Sequence, residues 1–508
     1  MYSIDYTDKC KFEWATGWHG SGGFQNKINR VFSSQTDSQG NLYILGECGN
    51  NAEMLNVEEL LPNDNVVVGF GATHTVVILK MNPQGEILWE KQFFGLNNQF
   101  PNAHDLKVVG DSVVMFMINP AGGKISYFLD TVLTSPSEEY WWAGIGTQLT
   151  IVGTLDLDGN LLEKHSLQFL YEDNGEDNSW SFVQYLNIFI HSVFCVDNSG
   201  NIYIGRNNYG DAESSNLRVI IDNDTNKIFP IDNFSIILTN PSITKFSPHF
   251  DSVIWSRHII TAAPDVVANN QKPFCPLLSI DCDKYNNIYA CGYAALGYPN
   301  GENYTIFYSE NDSIIINDVD MVQSFLIKYD SIGNFLKYSG IKFTQTDSNI
   351  FNASPHTVHS KLQINAATNS LFTQTSCTQG VAFNPASIFG YFTLGEGHTD
   401  TTGRYRNGMF IQYDLDDLHY VSHGVAKSDI ESGLSTMQVN NNRVFAQVTF
   451  FNNLDTLINY NNKYMSSSAF IYWDTDGHLI NAICYKDTLT VQSNYIGPLA
   501  LTDSIVYL

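Results

Sequence analysis

Cationic side chains are scarce in this chain. Its 508 residues include 26 Lys+Arg against 52 Asp+Glu, a formal charge of −26. Nucleic acids and anionic membranes are both recruited by basic side chains, so neither is an expected partner. Cysteine is sparse as well, with eight residues at 10, 48, 195, 275, 282, 291, 377 and 484. No pair forms Cys-x-x-Cys and no cluster has zinc-finger spacing, so neither a disulfide framework nor a structural zinc site organises the fold. The cysteines read as buried free thiols. No apolar run reaches the roughly 18–20 residues that span a bilayer. The stretch Met1-Tyr2-Ser3-Ile4-Asp5-Tyr6 has neither the basic nor the apolar region of a secretory signal. Either a signal has been removed or the protein is assembled without general secretion. What is present is 43% hydrophobic, 13% aromatic and only 15% charged, the composition of a globular chain with a large core.

The core is built from repeats. One unit reads apolar strand, Asp-rich turn, then Gly-Asn and an aromatic in a second strand. Its clearest copies are Asp37-Ser38-Gln39-Gly40-Asn41-Leu42-Tyr43, Asp197-Asn198-Ser199-Gly200-Asn201-Ile202-Tyr203 and the stretch from Asp281 to Asn287-Ile288-Tyr289. Weaker copies end at Met115, Phe372, Phe445 and Tyr507. A second unit reads apolar strand, Asp/Asn-x-x-Gly turn, then a strand that can carry Trp. It appears in Lys80-Met81-Asn82-Pro83-Gln84-Gly85-Glu86-Ile87-Leu88-Trp89 and in Lys328-Tyr329-Asp330-Ser331-Ile332-Gly333, and around Asp156, Asp251, Asp414, Asp474 and Asp5. Alternating or β-branched apolar residues suit a half-buried strand, and Asp, Asn and Gly supply tight turns, so each unit is a β-hairpin.

The two hairpin types alternate, and one of each makes a four-stranded sheet that cannot bury both faces alone. Radial stacking covers those faces. The expected fold is therefore all-β: a seven-bladed β-propeller of four-stranded antiparallel blades, forming one domain over 1–508. The closing blade would take residues 1–18 and 497–508, so that N- and C-terminal hairpins share one sheet. The alternative, six blades with two frayed hairpins, would leave apolar edges unpaired at both termini.

The consensus of Trp, then x-Asp-x-x-Gly-Asn-x-Tyr-x-x-Gly, then Lys-Tyr-Asp-x-x-Gly resembles the SBBP-type β-propeller repeat of bacterial surface proteins. The resemblance rests on residues 14–46, 80–89, 197–205, 281–292 and 328–333. The Trp position holds Glu163, Lys337, Val421 and Asn481 in other units. This likeness implies a scaffold with a binding role. It carries no shared catalytic residues.

Strands one–two and three–four of each blade are joined by turns of about two to five residues. The other joins are long: 48–74, 119–146, 206–240, 293–323 and 373–407. Loops of this length are usually functional, so one thick, loop-built face is expected to meet a partner. Within it, Tyr140, Trp141 and Trp142 form the most partner-like stretch, as aromatics give large contact area at small entropic cost.

Catalytic and metal motifs fail inspection. Asp156-Leu157-Asp158-Gly159 begins like a calcium loop, but Leu161 and Leu167 stand where Gly and Glu are needed. Gly69-Phe70-Gly71 precedes a strand rather than a helix, so no helix N-terminus awaits a pyrophosphate. His356 and His359 are spaced to opposite faces of a strand. His19-Gly20-Ser21 lacks the Gly that a nucleophile elbow places two before Ser. Acidic neighbours such as Glu138/Glu139 and Asp416/Asp417 are expected by chance.

The expected function is thus non-catalytic, without cofactor or metal. The loop face would dock onto a protein in a larger assembly or onto a surface glycan, as part of a cell surface or virion. The alternative is a propeller enzyme with an axial site, a quinoprotein-like dehydrogenase, a lyase or a glycosidase. Gly85-Glu86-Ile87-Leu88-Trp89 faintly resembles a quinoprotein docking unit, although fold alone cannot assign chemistry.

Overall fold

A computed structural model of the chain describes residues 30–49, 74–95, 102–119, 148–172, 193–208, 216–222, 226–230, 240–262, 276–295, 322–341, 357–378, 406–426, 432–440, 442–450 and 468–485. Residue 224 and short strands outside these stretches are described as well. Every regular element among the described residues is a β-strand. Six antiparallel blades of four strands each follow one another along the chain. The innermost strands, in chain order, are Arg30–Thr36, Asn102–Val109, Val193–Val196, Leu277–Cys282, Thr357–Asn365 and Ser432–Asn440. The outermost are Ile87–Gly95, Leu161–Glu172, Val253–His258, Phe335–Ile341, Tyr420–Ala426 and Leu479–Tyr485.

Five buried apolar clusters lie between these blades, one at each junction of consecutive blades. Tyr43 and Phe116 meet at the first junction, Trp255 and Tyr329 at the third, Phe410 and Trp473 at the fifth. Neither face of a blade is apolar for its own sake. Each completes a core only with its neighbour, which is why the sheets stack radially.

The count is six blades, not the expected seven. The terminal hairpins do not make a blade equal to the others. Lys11–Ala15, Tyr2–Asp5, Ile505–Tyr507 and Ala500–Leu501 pair in that order as a small sheet, with Ile4 opposite Val506. Its C-terminal strands are three and two residues long, too short to bury a blade-sized face. This sheet sits between the sixth and first blades, where Ala500–Leu501 touches Ser432–Asn440 on one side and Arg30–Thr36 on the other. Recurrent turn motifs count hairpins; they do not measure how much surface a hairpin buries.

The motif residues are fasteners. Asp37 accepts hydrogen bonds from the amides of Gln39 (3.0 Å) and Asn41 (2.9 Å), from Asn41 Nδ2 (2.8 Å) and from the Tyr43 hydroxyl (3.1 Å). Asp197 and Asp283 do the same for Asn201/Tyr203 and Asn287/Tyr289. The carboxylate replaces backbone partners inside the turn and ties it to the second strand.

The Lys and Trp of the second hairpin reach the next blade. Lys80 Nζ and Trp89 Nε1 both donate to the Leu157 carbonyl (3.0 and 2.9 Å), and Lys245 Nζ and Trp255 Nε1 both donate to that of Ser331 (2.9 and 3.1 Å). The Trp rings lie on Gly159 and Gly333, whose φ angles of +83° and +86° already favour glycine; a Cβ would approach either ring to 2.9 Å. In the second and fourth blades, where Trp is missing, the following turn lacks Gly too. Glu163 faces a turn containing Phe250, and Lys337 one containing Leu418, both with positive φ. In the fifth blade the Trp place belongs to Ser422, not to Val421 as the spacing suggested. The Ser422 hydroxyl donates to the Thr475 carbonyl, while Val421 points outward.

The long connections are put to a structural use. Ser126–Phe128 pairs with the end of the first blade's outer strand, and Asn216–Ile221 with that of the second. Tyr304–Phe307 pairs with Ile260–Ala262, which directly follows the third blade's outer strand. In each case a loop of one blade reaches back and covers the outer edge of the preceding blade, an edge that would otherwise expose unpaired amides and carbonyls. Tyr140, Trp141 and Trp142 lie outside the described residues.

Candidate functional site

The inner strands pack side by side around the propeller axis. Each presents one edge that its own sheet leaves unpaired, and side chains of neighbouring blades fill that need. Ser33 Oγ donates to Asp105 Oδ1 (2.8 Å) and to the Leu106 carbonyl (3.2 Å). Asn207 exchanges two hydrogen bonds with the backbone of Leu277 (2.7 and 3.0 Å), and Gln363 does so with Val439 (2.8 and 3.3 Å). Asp281 Oδ2 accepts from the Ile364 amide (3.3 Å), and Cys282 Sγ donates to the Val196 carbonyl (3.0 Å). These bonds tie the inner strands of neighbouring blades to one another.

Four charged side chains on the inner strands influence one another's charge: Asp105 and Lys107 from the second blade, Asp281 from the fourth and Lys361 from the fifth. Lys107 Nζ lies 3.6 Å from Asp105 Oδ2, with the two side chains 29% and 17% exposed. Lys107, Asp281 and Lys361 are all half-buried. Lys361 feels the charges of Lys107, Asp105 and Asp281. The second and fifth blades are not neighbours, so these fields cross the axis.

The same surroundings push the two lysines apart. Burial works against the charge on Lys107, but Asp105 and Asp281 outweigh it and hold this ammonium protonated well above the usual lysine range. Burial and the positive charge of Lys107 lower Lys361 to about 8, against which Asp105 and Asp281 pull only in part. Burial raises Asp281, offset in part by Lys107 and by the amides of Cys282 and Ile364. Among the described residues the Lys361 side chain has no hydrogen bond and no ion pair. Two lysines with separated proton affinities, beside a carboxyl that resists ionisation, can hold an anion and move a proton near neutral pH.

The acidic turns offer less. Asp414, Asp417 and His419 converge on the surface, as do Asp474, Asp476 and His478. Their carboxylates already serve the turn: Asp474 accepts from the His478 amide (2.7 Å) and Asp417 from that of His419 (3.0 Å).

Sequence inspection missed the axial four. They belong to three blades and lie at least 70 residues apart between blades; only Asp281 stands in a stretch that the turn motif marked, and the carboxylate that serves that turn is Asp283 instead. One signal was available. In a chain with so few cations, Lys107 and Lys361 stand inside first-of-blade strands, where apolar or small polar residues are the norm.

No protein-family model matches the chain, and no curated protein matches it. The resemblance to the SBBP-type repeat therefore rests on the turn motifs alone. Similar solved structures exist. A polysaccharide lyase, an ulvan lyase, shares 9% identity over 91% of this chain and 87% of its own, with a TM-score of 0.34. A virginiamycin B lyase from Staphylococcus aureus shares 11% over 79% and 97%, with a TM-score of 0.23. The endosialidase of phage phi92 shares 9% over 97% and 74%, with a TM-score of 0.27. These solved structures are named as enzymes, which runs against the expectation of a non-catalytic chain. A site assembled from separate blades leaves no contiguous motif to find. Likeness at this level concerns fold and says nothing of a reaction.

Proposed function

We propose that the propeller binds a small carboxylate-bearing ligand in its axial channel, held by Lys361 and Lys107. The observation that carries this reading is the Lys361 ammonium, set across the axis from a second cation and given no carboxylate of its own among the described residues. Asp105 and Asp281 are engaged by Ser33 and by the Ile364 amide, so they balance the charge without occupying Lys361. A desolvated cation interacts far more strongly with an anion than a surface one does. The chain's net charge of −26 repels anions elsewhere, so anion binding reports on this place.

Thermal unfolding with glyoxylate, pyruvate, malonate or citrate, each against its neutral amide, tests the proposal. The acids are expected to raise the melting temperature and the amides to leave it unchanged. The gain should fade as the pH rises past about 8, where Lys361 loses its proton. Lys361→Gln should abolish it. Equal stabilisation by acids and amides, or full binding by Lys361→Gln, would overturn the proposal.

A further inference from the structure

We propose that the second and third blades share a binding site for a divalent transition-metal ion, with Glu163, His165 and His249 as ligands and Asp222 orienting His165. The site lies on an outer strand, apart from the axial lysines. The sequence departs from its own pattern here. The third residue of the outer strand is Trp89 in the first blade and Trp255 in the third, but Glu163 in the second. Leu162 is bulged out of register, since Glu163 pairs with Thr154 and Leu161 with Leu155. Beyond the bulge, the two-residue period of the strand returns His165 to the face that holds Glu163. The turn of the third blade that meets them carries His249-Phe250 where other turns place glycine. Asp222 directly follows Asn216–Ile221, the segment that pairs with this same outer strand.

The distances give each group a role. Asp222 Oδ2 lies 2.9 Å from His165 Nδ1, and Asp222 Oδ1 accepts from the Ser166 amide at 2.9 Å. An ionised carboxylate only accepts, so Nδ1 carries the ring proton and Nε2 of the neutral ring is left with its lone pair. That Nε2 is buried, makes no hydrogen bond among the described residues and stands 3.8 Å from Glu163 Oε2. The ring is held in place against Phe250, with centroids 4.9 Å apart. The same Glu163 carboxylate meets His249 Nδ1, at 3.1 Å from Oε1 and 3.2 Å from Oε2. A lone pair facing a carboxylate oxygen calls for a cation between them.

A transition-metal ion meets that need. Ligand atoms held about 2.0–2.2 Å from a tetrahedral ion stand about 3.3–3.6 Å from one another, and the separations on either side of Glu163 fall around this value. The His249 side chain is 67% exposed, so its ring is free to rotate onto the ion. A carboxylate on the far nitrogen, as Asp222 is on His165, fixes the tautomer and direction of a metal-bound imidazole. Two imidazole nitrogens with one carboxylate suit zinc and its neighbours, whereas calcium and magnesium prefer all-oxygen sites. The exposure of Glu163 and His249 leaves the fourth position to water. A net charge of −26 favours a cation throughout. The ion would bond one blade to the next at the place where Trp and Gly meet elsewhere.

Zinc titration tests this. The untagged full-length protein, stripped of metal with a chelator, is titrated with Zn²⁺ by calorimetry and melted with and without the ion. Zn²⁺ is expected to bind and to raise the melting temperature, and Ca²⁺ to leave it unchanged. Asp222→Asn should weaken Zn²⁺ binding about 10–100-fold, as removal of an orienting carboxylate does, and His249→Ala and Glu163→Gln should weaken it further. Both ligand substitutions fall on partly exposed side chains, and melting of the metal-free variants checks that each is folded. His478→Ala, at the acidic turn of the sixth blade, should leave the affinity unchanged. Absence of zinc binding, or equal affinity in the unsubstituted protein, His249→Ala and Glu163→Gln, would overturn the site and reduce the cluster to hydrogen-bonded ion pairs. Loss of binding in His478→Ala alone would place the ion on that turn and overturn it as well.

Discussion

Asp197→Ala is expected to destabilise the protein by about 3–5 kcal/mol, the usual cost of leaving a buried ion without its partner. The Asp197 side chain is fully buried and lies 3.4 Å from Lys245 Nζ. It also accepts from the amides of Ser199 and Asn201 and from the Tyr203 hydroxyl. Lys245 in turn lies over the Tyr203 ring at 4.9 Å and donates to the Ser331 carbonyl of the following blade. Removing the carboxylate strands a cation at a blade junction, not merely inside a turn. Burial disfavours the ionised Asp197, but the hydrogen bonds from Asn201 and Tyr203 outweigh it and hold its pKa below the usual value. The sign follows. The contribution is complete above the unfolded-state pKa of about 3.9 and is lost as the pH falls through the lower folded value. Urea denaturation of Asp197→Asn should therefore show a smaller loss of stability than the unsubstituted protein between pH 4 and the acid limit. A mutant cost below about 1 kcal/mol would show that the latch is a surface turn after all.

Gly477→Ala is expected to cost about 3 kcal/mol or more, combining backbone strain with overpacking. Gly477 has φ +89°, and a Cβ there would strike the carbonyl of His423 in the fifth blade's outer strand. Backbone cannot rotate aside as a side chain can. The comparison inside the molecule separates the two causes, because Leu418 and Phe250 occupy corresponding turns at φ +58° and +53° with their side chains buried. A left-handed turn residue is thus tolerated where the neighbouring blade leaves room. Denaturant midpoints for Gly477→Ala should fall well below those for Gly200→Ala, whose Cβ would meet only Pro248 at 3.5 Å. Equal shifts would make φ alone responsible.

Those turns also show what the sequence could disclose. The hairpins at Asp37 and Asp197 announce themselves, because one carboxylate must serve two backbone amides, an Asn and a Tyr, and this needs fixed spacing; in the third copy that carboxylate is Asp283 and not the expected Asp281. The pairing of Trp89 with Gly159 and of Trp255 with Gly333 is written in residue types as well, though only knowledge of blade adjacency connects residues 70 or more apart. Blade number was less legible, since the terminal hairpins carry the motif's pattern on strands as short as Ala500–Leu501. Length marked the long connections but not that segments of them, such as Ser126–Phe128 and Asn216–Ile221, extend neighbouring sheets. Asp105, Lys107, Asp281 and Lys361 were illegible for a different reason. Their significance lies in meeting across an axis, and no local pattern encodes that meeting.

The proton affinity of the Lys361 side chain tests the axial site most directly. In protein labelled with ¹³C-lysine, the Lys361 ε-carbon resonance, assigned by its absence from Lys361→Gln, can be followed against pH. A midpoint near 8 is expected, rising in Lys107→Met as the opposing cation is removed. A midpoint at the ordinary lysine value of 10.5, unmoved by Lys107→Met, would mean that the two ammonium groups do not share one enclosed space, and the axial site would be contradicted.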